Sequence, residues 1–128
     1  MIATAANAPL AAIQALVRFR TMTRNEAVCS LVDFDRPLNV VIAALRSYGW
    51  DWDGEPIAKL STANVTSVIQ RYFNGEMGGR EVETWANALE GRDDVEFDPG
   101  AAHAIFQLAN PVLHGPLREV AASLIARL

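Results

Sequence analysis

The sequence predicts an all-α protein, a single-domain bundle of about six to seven helices covering residues 1–128. Three observations carry this. Apolar residues recur at spacings of three and four along most of the chain, the period of a helix with one buried face. The periodic runs are separated by short proline, glycine and Asn-Pro stops, with no long linker, internal repeat or low-complexity segment. No stretch carries a convincing period-two alternation. A chain of 128 residues suits one domain. At this length roughly two-thirds of the unfolded surface can be buried, so folding needs no disulfide or metal. With 51% hydrophobic and 20% charged residues, it is not a disordered chain.

The elements follow in order. Pro9 to Phe19 places Leu10, Ile13, Leu16 and Val17 on one face and predicts a first helix. The apolar stretch from Met1 lacks a positive start, and Arg18 and Arg20 interrupt it before it could cross a bilayer, so no leader peptide or membrane span is expected. Thr23 with Glu26 three residues later is a capping-box pattern opening a second helix through Val32, with Ala27, Val28, Leu31 and Val32 inward. Asp35-Arg36-Pro37 starts a third, ending near Gly49. It is apolar on most sides and so expected to be the most buried. Trp50 to Pro56 is a loop in which one Trp is expected to plug the bundle end while Asp53-Gly54 turns the chain. Ser61 or Thr62 caps a fourth helix with the stripe Val65, Val68, Ile69 and Tyr72, stopped at Gly75.

A fifth helix lies between Gly78 and Gly91, with Val82, Trp85, Ala86 and Leu89 on one face. Trp85 is its expected core anchor, since an indole removes the most apolar area from water. Then comes the densest acidic run, in which Val95 and Phe97 alternate with Asp94, Glu96 and Asp98. An extended segment with two apolar pins fits that alternation. Asp98-Pro99 reads as cap and first position of a sixth helix to Ala109, with Ala101, Ala102, Ile105, Phe106 and Ala109 inward, ended by Asn110-Pro111. Pro116 starts a seventh, where Leu117, Val120, Ala121, Leu124 and Leu128 repeat.

Charge is unevenly placed. Residues 1–50 hold five Arg against three acids, while residues 51–98 hold eleven acids against four bases. An acidic middle opposes nucleic-acid binding, which depends on neutralising phosphates, and suits a basic protein partner. Glu81, Glu83, Glu90, Asp93, Asp94, Glu96 and Asp98 are the candidate partner-binding residues. The lip Trp50, Asp51, Trp52 and Asp53 is a second candidate, because Trp is enriched at binding hot spots.

Enzyme signatures are missing: there is no G-x-S-x-G, H-E-x-x-H, Walker loop, G-x-G-x-x-G or C-x-x-C, and no catalytic residue is assigned. An EF-hand loop begun at Asp51 would need Glu where Thr62 stands, and one begun at Asp94 meets Ile105. No metal or cofactor is expected. His103 and His114 are expected in solvated or packing roles. Cys29, the single cysteine, has no basic neighbour in sequence to activate it and is expected to be a small structural side chain. With no internal disulfide possible, the expected home is a reducing cytoplasm.

Gly75-Glu76, Glu81-Val82-Glu83, Trp85-Ala86-Asn87, Leu89 to Asp94, Ile105-Phe106, Leu108 to Pro111 and Gly115 to Leu117 together form a pattern. Across residues 61–128 it resembles a group of small acidic bacterial proteins, mostly uncharacterised, that read GE-x-x-x-x-EVE-x-WAN-x-LEGRDD, then IF-x-LANP, then GPL. That group is similar to immunity proteins of bacterial toxin systems, which are small, helical, acidic and cytoplasmic. The resemblance implies a non-catalytic immunity or antitoxin protein that neutralises a basic toxin domain. It carries over no binding residue. Two other readings stand beside it. One is a small enzyme or ligand-binding protein using Glu90, Asp93, Asp94 and a histidine, which a polar pocket joining them would favour. The other is a structural, oligomerising domain, which a large apolar patch would favour. Oligomeric state is left open.

Overall fold

In the computed structural model, residues 22–128 are described, and the predicted Pro9–Phe19 helix lies outside them. The described residues form seven helices and a two-stranded sheet. The all-α expectation therefore holds for the body of the protein. No helix among the described residues is long and apolar enough to cross a membrane.

Helix α1 (Arg24–Asp33) opens on the predicted cap: Thr23 Oγ1 accepts the Glu26 N–H at 3.1 Å. It buries Ala27, Val28, Leu31 and Val32 as the stripe required, and Ser30 with them, while Cys29 is exposed. It ends on Phe34, the one non-glycine with positive φ among the described residues (φ 48°). A side chain in the left-handed region costs about 1 kcal/mol or more. The gain that offsets it is visible: the Phe34 ring lies 6.1 Å from that of Trp85, and the Phe34 carbonyl accepts from Arg71 Nη1 at 3.0 Å.

Helix α2 (Leu38–Tyr48) corrects an expectation. It buries Leu38, Val41, Ala44 and Leu45, but Val40 and Ile42 are half-buried and Ala43 is exposed. An apolar run measures what a helix could bury, not how many neighbours reach it. This one packs mainly on α1 and on the Trp85 helix, and its far side stays open.

Strand β1 (Ala58–Leu60) was not anticipated. Helix α3 (Thr62–Phe73) follows with a reciprocal cap: Asn64 N–H donates to Ser61 Oγ at 3.2 Å and Ser61 N–H to Asn64 Oδ1 at 2.9 Å. Helix α4 (Gly79–Leu89) buries all four predicted residues, Val82, Trp85, Ala86 and Leu89. After it Gly91 takes φ 80°, the left-handed stop its position suggested. Strand β2 (Val95–Phe97) is the predicted extended segment. It pairs in parallel with β1 in the register Ala58–Val95, Lys59–Glu96 and Leu60–Phe97.

Helix α5 (Pro99–Ala109) has Pro99 at its first turn as expected, but the Asp98 side chain makes no capping bond; it pairs with Lys59 Nζ at 3.2 Å. Its buried face is Ala101, Ala104, Ile105, Leu108 and Ala109, while Ala102 and Phe106 are exposed. The predicted stripe was thus rotated, because an alanine-rich helix offers several near-equivalent apolar faces. Asn110-Pro111 does end it, but the connector coils into a short turn, α6 (Pro111–His114). Helix α7 (Leu117–Arg127) buries Val120, Ala121 and Leu124, with Leu117 half-buried and Leu128 exposed.

The core gathers around Trp85, which is fully buried and donates its indole N–H to the Leu31 carbonyl at 2.6 Å. That bond also satisfies an indole nitrogen that would otherwise be desolvated without a partner. Trp85→Ala is expected to cost about 3–5 kcal/mol, the range for emptying a large buried site. Trp85→Phe should cost less, since it keeps part of the buried ring area while losing the donor and leaving a smaller void. Urea unfolding at neutral pH checks both, and a Trp85→Ala protein as stable as the parent would remove Trp85 from the core role.

Candidate functional site

The acidic run divides into two environments. Asp94 is 1% exposed and lies inside the protein. This corrects its expected place on an outer acidic surface. The reason is local. Residues 93–94 form a turn before β2, so the strand alternation that would place Asp94 beside Glu96 begins one residue too late. The turn aims the Asp94 carboxylate inward, where two guanidiniums meet it.

Arg92 grips it bidentately, Nε to Oδ1 and Nη2 to Oδ2, both at 2.9 Å. Arg24, from the first turn of α1, donates from Nε to Oδ2 at 3.1 Å. The Asp94 carbonyl accepts the Ile57 N–H at 2.7 Å, which ties the cluster to the approach to β1. Burial alone would raise the Asp94 pKa, but the hydrogen bonds and charges of Arg92 and then of Arg24 outweigh it and hold the carboxyl below its ordinary range.

The two tryptophans of the predicted lip stand over the two arginines. Trp52 is half-buried, lies 4.8 Å from the Arg24 guanidinium carbon, and donates its indole N–H to the Glu55 carbonyl at 2.9 Å. Gly54 lets that ring close down, since a Cβ there would meet the indole at 3.1 Å. Trp50 is 64% exposed, with the Arg92 guanidinium carbon 5.2 Å from its ring centre. The expected plug is therefore a cap over a buried ion cluster. Asp51 and Asp53 remain exposed.

The other candidate acids lie outside. Glu81, Glu90, Asp93 and Glu96 are exposed, and Glu83 and Asp98 are half-buried. Glu81 Oε1 accepts the Gly78 N–H at 3.0 Å, closing the start of α4. Glu90 Oε2 accepts from Asn110 Nδ2 at 3.3 Å. A shallow cleft of about 260 Å³ runs past Glu90, Gly91, Arg92, Asp93, Phe97, Ala102 and Ile105. Neither histidine lines it: His103 and His114 are exposed, and His114 sets its ring edge-on to Phe106 at 5.1 Å. No group of three metal-ligating side chains is gathered among the described residues.

Sequence reasoning missed Arg24 as a partner of Asp94, and missed that the Arg92–Asp94 pair is buried. The closeness of Arg92 and Asp94 in sequence was a visible signal for half of the cluster, since opposite charges two residues apart can meet across a turn. Arg24 stands seventy positions away and left none. No known protein family matches this chain, and no curated protein and no solved structure matches it.

Two outcomes are expected of the ion cluster. Asp94→Asn leaves two largely buried cations facing a neutral amide and should cost about 3–5 kcal/mol. Because the folded pKa is depressed, the stabilisation from Asp94 is fully present above its unfolded value, near 3.9, and is lost as pH falls through the lower folded value. The Asp94 contribution to the unfolding free energy should therefore be level above about pH 5 and fall on acidification. In Asp94→Asn that acid slope should be shallower. Urea titrations across this range, on both proteins, check the two statements together.

Proposed function

We propose that this chain is a non-catalytic protein-binding module whose exposed acids receive a basic protein. One observation carries the reading: most cations near the acidic run are already engaged and do not pair with its exposed acids. Arg92 is held on buried Asp94, and Lys59 pairs with Asp98. Arg71 donates to the Phe34 carbonyl. Of the four bases among residues 51–98, only Arg80 has no such engagement among the described residues. Glu81, Glu83, Glu90, Asp93 and Glu96 are thus left without an ion pair there.

Uncompensated like charge costs stability through self-repulsion. Solubility alone is served by acids scattered over the surface. A surface kept acidic to receive a cationic partner accounts for the concentration, because complementary potentials speed encounter and exclude wrong partners. The finer form of the reading is an immunity or antitoxin protein that covers a basic toxin domain in the cytoplasm. It rests on the sequence pattern of residues 61–128 together with this charge layout.

The test neutralises Glu90, Asp93 and Glu96 together, as Gln, Asn and Gln, and leaves Asp94 in place because its role is internal. The partner captured from the source cell is expected to be basic. Its association with the parent should slow steeply with salt, since exposed charges are screened beyond about 8 Å at physiological ionic strength. The triple variant should fold normally, associate about tenfold more slowly at low salt and show a flatter salt dependence. Equal on-rates and equal salt slopes would leave these acids as solvated surface only.

A further inference from the structure

A second cleft, of about 320 Å³, lies between α2 and α4 on the side that α2 leaves open. Ile42, Leu45, Trp50 and Ala88 make its walls, and Arg46, Arg92 and Asn87 bring polar groups to it. Pockets that enclose small molecules begin at about this volume and combine apolar walls with a few convergent polar groups.

The charge at this cleft is opposite to that of the acidic surface. Arg24 and Arg92 share one carboxylate, so the buried cluster keeps one unit of positive charge. Arg92 commits Nε and Nη2 to Asp94, and its Nη1 has no acceptor among the described residues. No buried side-chain nitrogen or oxygen among the described residues lacks a partner, so this Nη1 is not sealed from solvent, and Arg92 borders this cleft as well as the shallower one beside Glu90 and Asp93. Arg46 is exposed, lines the cleft too, and makes no ion pair among the described residues. The exposed Trp50 indole stands beside Arg92 and offers a flat apolar wall.

We propose that this cleft binds a small apolar carboxylate, its body against Ile42, Leu45, Trp50 and Ala88 and its charged head on Arg46 and Arg92 Nη1. A neutral apolar ligand would cover guanidinium donors and give them no acceptor, which forfeits their hydration. A cation would be repelled. A carboxylate supplies acceptors for both arginines and leaves the Asn87 amide a further role as donor. This proposal does not rest on the acidic-surface reading and stands or falls separately.

The test titrates the full chain with 4-phenylbutyrate and with the isosteric 4-phenylbutyramide, followed by calorimetry and by tryptophan fluorescence, because the ligand would cover Trp50. The acid should bind saturably at one site, and the amide about tenfold or more weakly. Arg46→Gln removes an exposed side chain and should leave the melting temperature unchanged while weakening the acid about tenfold. Ala88→Leu fills the cleft and should abolish binding of the acid. Absence of saturable binding to the full chain, equal affinity for acid and amide, or full affinity in Arg46→Gln would each overturn the proposal.

Discussion

A carboxylate placed inside a mostly apolar protein has to be answered by cations, and Asp94 is answered twice. The cluster it forms with Arg92 and Arg24 joins the start of α1, the turn after α4 and, through the Asp94 carbonyl, the approach to β1. Much else depends on this arrangement. The loop from Trp50 to Glu55 has its conformation because two indoles lie on the two guanidiniums and Gly54 admits one of them. The acidic surface is uncompensated in part because Arg92, beside Asp93 in sequence, spends its charge on Asp94. The cleft beside α2 is cationic because two arginines share one carboxylate.

The helices were legible because each carries its own period and its own stops. Thr23, Ser61, Gly75 and Gly91 act as the sequence suggested, and the Val82–Trp85–Ala86–Leu89 stripe is buried residue for residue. What failed was information held by neighbours. Strand β1 is three residues long and shows no alternation of its own; it exists because Val95–Phe97 lies beside it. In α5 the alanines made several faces equally apolar, and packing chose the one bearing Ala104 and Leu108 over that bearing Ala102 and Phe106. Helix α2 looked central because it is apolar, but centrality is conferred by surrounding elements.

The candidate site divides in the same way. Glu81, Glu90, Asp93 and Glu96 are at the surface, where an acid without an ion pair belongs. Asp94 stands in the same run with the same chemistry, yet its environment is set by a turn and by an arginine seventy positions earlier. Composition could locate the acids as a group; only the folded chain separates the one that holds the protein together from those free to meet something else. The tryptophan lip was recognised as unusual, and its meaning lay in the arginines beneath it.

The parallel pairing of β1 with β2 bears on the order in which the molecule assembles. Parallel neighbours cannot be joined by a tight turn, and here α3 and α4 both lie between the strands in sequence. The chain entropy of closing so long a loop has to be met before three residues on each side can reward it. Helical hairpins with near-sequence contacts form faster than such non-local ladders. Prior docking of α3 and α4 lowers that closure cost, which favours pairing of the two strands late on the folding route.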